Sequence, residues 1–155
     1  MKKVMFISSG GGHLEELLQL SSLFNKCDYS LITEKTSTTK YLKDKYKNVS
    51  YLVYGTKDHL LPYLFIFSFN IIKSFFLFLK YNPEYIVTTG THTAVPMCYI
   101  GHLFKRKIVF IETFANANKA TKAGSIVYEF ADKFIVQWDS MLDIYEKAEY
   151  WGSIY

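Results

Sequence analysis

Cysteine, arginine and low-complexity sequence are all scarce in this 155-residue chain. Its two cysteines, Cys27 and Cys98, lie far apart and outside any CxxC or Cys/His spacing. No disulfide framework is implied, and both read as reduced, buried thiols of a cytosolic protein. Arg106 is the only arginine, so the formal charge of +4 rests on lysine. Without an arginine cluster interleaved with stacking motifs, nucleic acid is not the expected partner. The first strand starts at once, with no apolar leader before it, so no signal peptide is expected. No repeat or linker divides the chain, and its length fits one domain with a real core. Two nucleotide-binding fingerprints are missing as well, since neither GxGxxG nor a P-loop ending in Gly-Lys-Ser/Thr is present.

What the chain has is apolar and aromatic mass. Half of it is hydrophobic, and 13 Phe with 13 Tyr bring most of the 18% aromatic content. That load points to a surface that meets lipid or protein, with a Phe-rich core as the alternative. A basic, aromatic-rich face suits an anionic membrane surface.

The chain is organised around its first 20 residues. Val4, Met5, Phe6 and Ile7 form a short apolar run closed by Ser8, Ser9, Gly10, Gly11 and Gly12. His13 then opens a helix whose apolar side is Leu14, Leu17, Leu18 and Leu20, with Glu15 and Glu16 in the first turn where the dipole favours acids. Strand, glycine turn and helix N-terminus begin a Rossmann-type unit, in which backbone amides can approach an anion. A tight βα turn with a locally bonded histidine is the plainer reading of the same residues. Further strands are expected at 29–33, 49–54, 85–88, 107–111 and 134–137, and helices at 34–47, 58–80, 93–104, 121–131 and 139–148. Asp139 suits the N-cap of the last helix. Alternation of this kind predicts an α/β fold, a doubly wound parallel sheet covered on both faces. Ligands of such sheets bind beyond the carboxyl ends of the strands. Those ends carry 8–13, Thr33 and Glu34, Tyr54 and Gly55, 88–93, 112–118, and Gln137 to Asp139, a polar rim suited to sugar or phosphate.

Residues 60–79 are the most apolar stretch. A bilayer-crossing helix needs about 20 apolar residues, but Pro62, Ser68, Asn70, Lys73 and Ser74 interrupt this one. Lys73 in mid-span would cost about 2.5–3.5 kcal/mol, and a span between strands three and four would divide the sheet. The preferred reading is a helix lying on the membrane. Phe65, Phe67, Phe69, Phe75, Phe76 and Phe78 would meet lipid, and Lys57, Lys73 and Lys80 the headgroups. A buried crossover helix and a true span are the alternatives.

Three pieces of sequence carry a resemblance: Ser-Gly-Gly-Gly-His at 9–13, Thr-Gly-Thr-His-Thr-Ala-Val-Pro at 89–96, and the run 111–140. With Trp151, Gly152, Ser153, Ile154 and Tyr155, they resemble the acceptor-side, membrane-associating subunit of the split UDP-N-acetylglucosamine transferase of dolichol-linked oligosaccharide assembly. The nearer likeness is to bacterial relatives in capsule and exopolysaccharide clusters. The run 111–140 is its most specific part. The resemblance implies the N-terminal, acceptor half of an inverting GT-B glycosyltransferase, inactive alone, working at the cytoplasmic face of the membrane. A lipid-linked (polyprenyl diphosphate sugar) acceptor would bind here. A separate donor-binding subunit would carry the UDP-sugar, so this chain itself would hold no cofactor and no metal. The eukaryotic anchor subunit has an N-terminal membrane helix, whereas this chain begins with strand one, which moves weight onto 60–79.

On this resemblance His13 is the candidate base or orienting group, since imidazole titrates near working pH. Ser9, Gly10, Gly11 and Gly12 would meet the diphosphate, and Gly90, Thr91 and His92 would line the opposite wall. Glu112 is a second catalytic candidate and Asn116 an assisting one; for His92 and Glu112 a structural hydrogen bond serves equally. Trp138, Trp151, Ile154 and Tyr155 would dock the partner. A self-sufficient nucleotide enzyme is disfavoured by length and by the missing fingerprint. A catalytically silent scaffold that recruits the partner remains open.

Overall fold

Among the described residues seven parallel strands form one sheet, most of them short runs rich in β-branched and aromatic residues that are buried under helices. A computed structural model describes residues 1–55 and 60–155. The strands are β1 (Lys3–Ile7), β2 (Asp28–Lys35), β3 (Val49–Val53), β4 (Tyr85–Thr88), β5 (Lys107–Ile111), β6 (Lys133–Val136) and β7 (Glu149–Tyr150). Helices α1 (Gly12–Gln19), α2 (Leu42–Lys45), α3 (Leu60–Tyr81), α4 (Val95–Leu103) and α5 (Lys122–Tyr128) connect them. Sheet order is β3-β2-β1-β4-β5-β6-β7, so the winding reverses between β1 and β4.

That reversal decides the layers. Parallel crossovers are right-handed, so the connection leaving β1 toward β2 lies on one face, and those running toward β4, β5 and β6 lie on the other. On the second face Met5, Ile7, Ile86, Ile108, Phe110 and Phe134 pack under α3, α4 and α5. Helix α4 sits hard on the sheet: a Cβ at Gly101 would lie 2.4 Å from Ile86 and 2.8 Å from Ile108. On the first face Phe6, Leu31 and Tyr51 meet Leu14 and Leu17 of α1 and Phe24 of the 3-10 turn Leu20–Lys26. That cover stops at β1. Beyond it Val87, Val109 and Ile135 floor an apolar groove of ≈ 420 Å³, walled by Leu20, Leu23, Trp151 and Ile154. The expected complete cover of both faces is therefore found on one face only, since every crossover after β3 runs on the same side.

Helix α3 is long and apolar enough to cross a bilayer by length and composition, yet its inner side is tied to the sheet. Buried Asn70 accepts from Val53 N–H at 2.9 Å and donates to Val53 C=O at 2.8 Å, closing the open edge of β3 as a neighbouring strand would. Phe78, expected at the lipid face, is instead 1% exposed in the core and packs on Phe104. Phe67 is half-buried and stacks on Tyr63. Lys73 is half-buried too, with its ammonium 5.9 Å from the Phe69 ring centre. Phe65, Phe69, Phe75 and Phe76 are exposed. Lys57 and the expected helix start at 58 and 59 lie outside the described residues.

Two helices expected from the sequence shrink. Within 34–47 only the single turn Leu42–Lys45 is helical. The Thr36 and Thr39 hydroxyls bond the Thr39 and Thr36 amides and the Glu34 carbonyl, local bonds that outcompete a helix. Within 139–148 only the 3-10 turn Asp139–Asp143 forms. Trp138, not Asp139, is its capping position, and Asp139 accepts from the Ser140 amide within the turn. The two-residue strand β7 follows, too short to leave a pattern in the sequence. Both thiols are free; burial pushes that of Cys98 up to about 12, which leaves it inert.

Candidate functional site

The carboxyl ends of β1 and β4 diverge at the winding reversal, and the crevice between them is where a doubly wound sheet takes its ligand. The turn after β1 is held open by the loops beside it. Ser9 N–H donates to Gly90 C=O at 3.1 Å. Gly10 N–H donates at 3.2 Å to Glu34, whose other carboxylate oxygen accepts from the Thr93 hydroxyl at 2.6 Å. One buried carboxylate at the end of β2 thus sets both walls. Gly11, at φ 73, turns the chain into α1.

His13 is fixed from β4. Its Nδ1 lies 2.7 Å from the Thr89 carbonyl oxygen, and the Thr89 hydroxyl donates back to the His13 carbonyl at 2.6 Å. A carbonyl can only accept, so Nδ1 carries a proton, and in the neutral ring the lone pair is on Nε2. Gly90, at φ 95, lies against the imidazole, where an added Cβ would stand 3.6 Å from Nδ1. Among the described residues no hydrogen bond ends on the amides of Gly11, Gly12 or His13. They are the unsatisfied donors at the start of a helix, where the dipole adds positive potential.

Two pockets flank the turn. One, of ≈ 670 Å³, is lined by Ser9, Gly10, Gly11, Glu34, Tyr54, Thr91 and His92. The other, of ≈ 610 Å³, is lined by Gly12, His13, Glu16, Thr113, Phe114 and Tyr155. The structure thus brings together Ser9, Gly10, Gly11, Gly12, His13, Gly90, Thr91 and His92, although the Gly10 amide is committed to Glu34. His92 sits half-buried, 3.2 Å from the Thr91 hydroxyl and edge-on to Tyr63 of α3.

Glu112 does not serve the crevice. It is 1% exposed, and its carboxylate accepts from the Thr113 and Thr121 amides and the Thr121 and Tyr145 hydroxyls at 2.8–3.2 Å. Burial, and then the Glu112 charge, push the Tyr145 hydroxyl well above its ordinary pKa. A Cβ at Gly124 would fall 2.3 Å from Glu112, so the loop before α5 is built around this carboxylate. Asn116 lies in the same loop, outside both pockets. Trp138 is half-buried, stacked 4.7 Å from Phe114 and donating to its carbonyl, so it braces the β5 loop. Trp151 and Tyr155 are exposed, and Ile154 is held by its amide to Gln137. Glu34, Thr89 and Glu16 were not singled out by sequence. Glu34 is visible only as a polar strand-end position, Glu16 only as a first-turn acid.

Residues 4–154 match the family described as "Oligosaccharide biosynthesis protein Alg14 like". The chain belongs to that family. A relative in Candida albicans, named "UDP-N-acetylglucosamine transferase subunit ALG14", is 38% identical over 90 residues, 54% of this chain and 41% of that protein. The mouse protein of the same name is 26% identical over 180 residues, 98% of this chain and 82% of that protein. Among solved structures, MurG of Acinetobacter baumannii superposes with a TM-score of 0.72 at 15% identity, over 90% of this chain and 43% of that one. A UDP-N-acetylglucosamine 2-epimerase of Rickettsia bellii gives 0.75 at 16%, over 99% and 45%. The chain spans less than half the length of the Candida relative and of both solved structures. This family member has the Rossmann-like sheet expected of one half of a GT-B enzyme.

Its Glu112 is an anchor, and that is testable. Glu112→Ala strands several buried donors, each costing about 1–3 kcal/mol. It is therefore expected to lower stability in urea unfolding by about 3 kcal/mol or more, against about 1 kcal/mol for His13→Ala. A Glu112→Ala chain as stable as wild type would contradict the anchoring role.

Proposed function

We propose that this chain is the acceptor-side subunit of a two-component, inverting N-acetylglucosamine transferase. It binds a polyprenyl diphosphate sugar at the cytoplasmic face of the membrane and works with a partner that holds the UDP-sugar; alone it is inactive. Assembly of capsular or extracellular polysaccharide is the setting the sequence resemblance implies. The observation that carries the reading is His13, its Nδ1 held at the Thr89 carbonyl, an arrangement that in the neutral ring leaves Nε2 bare beside free first-turn amides.

The chemistry follows from that arrangement. The acceptor hydroxyl gives its proton to Nε2 as its oxygen bonds to C1 of the donor sugar. The C1–O bond to UDP breaks on the opposite side, so the anomeric centre inverts and UDP leaves with the electron pair. The amides of Gly11, Gly12 and His13 suit the acceptor diphosphate. Relatives named as transferase subunits support a division of labour with a second chain.

Helix α3 supports the membrane part. Phe65 is 78% and Phe76 64% exposed, and Ile72, Leu79 and, at the end of α4, Leu103 with the following Phe104 are exposed as well. Leaving such side chains in water forgoes about 1.5–3 kcal/mol each, and an apolar area this continuous marks an interaction site. Lys80 and Lys105 border it, as anionic headgroups require. The bonds from Asn70 favour a helix lying on the bilayer over one that crosses it.

With partner, UDP-N-acetylglucosamine and a short-chain polyprenyl diphosphate sugar, His13→Ala is expected to cut turnover about 100-fold while the complex still elutes intact. Unchanged turnover would leave only a scaffold. Phe65→Glu combined with Phe76→Glu should release the chain from phosphatidylglycerol vesicles in a sedimentation assay. Undiminished pelleting would remove α3 as the membrane surface.

A further inference from the structure

Glu16 stands one helical turn beyond His13 on α1, close enough for side chains on one helix face to interact. It is 3% exposed and lines the same pocket as the imidazole. One carboxylate oxygen, Oε1, accepts from the Thr113 hydroxyl at 2.8 Å and the Phe114 amide at 2.9 Å. The other, Oε2, is buried with no hydrogen-bond partner. Among the described residues it takes part in no salt bridge. The titratable groups that act on it are His13, whose proximity favours its charge, and Glu112, which opposes it; Glu15 and Glu16 both act on Tyr155. Burial is the largest influence and holds the Glu16 carboxyl above the usual carboxylate range.

Stability does not explain such a group. A buried carboxylate with one oxygen unsatisfied costs free energy, and a neutral side chain of the same shape would brace Thr113 and Phe114 as well. Its missing counter-charge would arise when His13 takes a proton. Nδ1 is already held by an uncharged carbonyl, so the imidazolium formed at that moment has no other anion committed to it. We propose that Glu16 is a positioning residue, whose fixed charge stabilises the imidazolium that forms as His13 deprotonates the acceptor. This rests on the acceptor-side reading above. The proton moves from the acceptor hydroxyl to Nε2, Nδ1 keeps its own, and Glu16 neither gains nor loses one. The field is preorganised, so it acts where charge develops and not on the resting pair.

The test is a double-mutant cycle in the assembled complex, with UDP-N-acetylglucosamine and a short-chain polyprenyl diphosphate N-acetylglucosamine as substrates. Glu16→Gln keeps an oxygen acceptor for Thr113 and Phe114, removes the charge and leaves a neutral amide NH2 in place of Oε2. It is expected to lower kcat about tenfold, to leave KM for the acceptor within about twofold, and to leave the unfolding midpoint at pH 7 equal or higher. In the His13→Ala background the same change should have no further effect, because its target is gone. Wild-type kcat in Glu16→Gln, with His13→Ala still crippled, would overturn the role of Glu16 and leave the acceptor-side reading standing. A full second loss in the double variant, or a clear fall in the midpoint, would make Glu16 a structural brace and overturn it too. Wild-type turnover in His13→Ala would overturn both.

Discussion

One hydrogen bond, from His13 Nδ1 to the carbonyl of Thr89, joins the two strands between which the sheet reverses direction. It ties the turn after β1 to the turn after β4, and the Thr89 hydroxyl returns the link through the His13 backbone. Because the acceptor is a carbonyl, the bond also selects which imidazole nitrogen is bare. A structural tie and a chemical assignment are thus the same interaction. Around it the carboxylates divide their roles by environment. Glu34 sets the loops, Glu112 holds the segment before α5, and Glu16 is left with one oxygen unanswered.

The winding that creates this crevice also makes the molecule lopsided. All crossovers after β3 fall on one face, so that face carries α3 and its uncovered aromatic side. The opposite face keeps an apolar groove over β4, β5 and β6, closed on one side by Trp151 and Ile154. Both uncovered surfaces are apolar, and they lie on opposite sides of the sheet. The crevice opens at the carboxyl ends of the strands.

Much of this was legible beforehand, and the exceptions have physical causes. Strands such as 107–111 and 85–88 announce themselves because they are short runs of mostly β-branched and aromatic residues. The Ser-Gly-Gly-Gly-His turn shows its geometry through its glycines. The Phe-rich run could not reveal which of Phe75, Phe76 and Phe78 faces inward, because all three are aromatic and only burial in the fold singles out Phe78. Asn70 looked like an interruption of an apolar helix, and it is the clamp on an edge strand. Glu112 and Glu16 are both acids near strand ends or helix starts. What distinguishes them is how many donors surround each carboxylate, a property of the folded loops that no spacing reports.

The tautomer of His13 is the most direct measure of the central link. A long-range ¹H–¹⁵N spectrum of the neutral imidazole in the free chain should show the proton on Nδ1 and Nε2 unprotonated, the reverse of the form that histidine favours free in water. A proton found on Nε2 would mean that the Thr89 tie does not hold, and with it would go the base and the role given to Glu16.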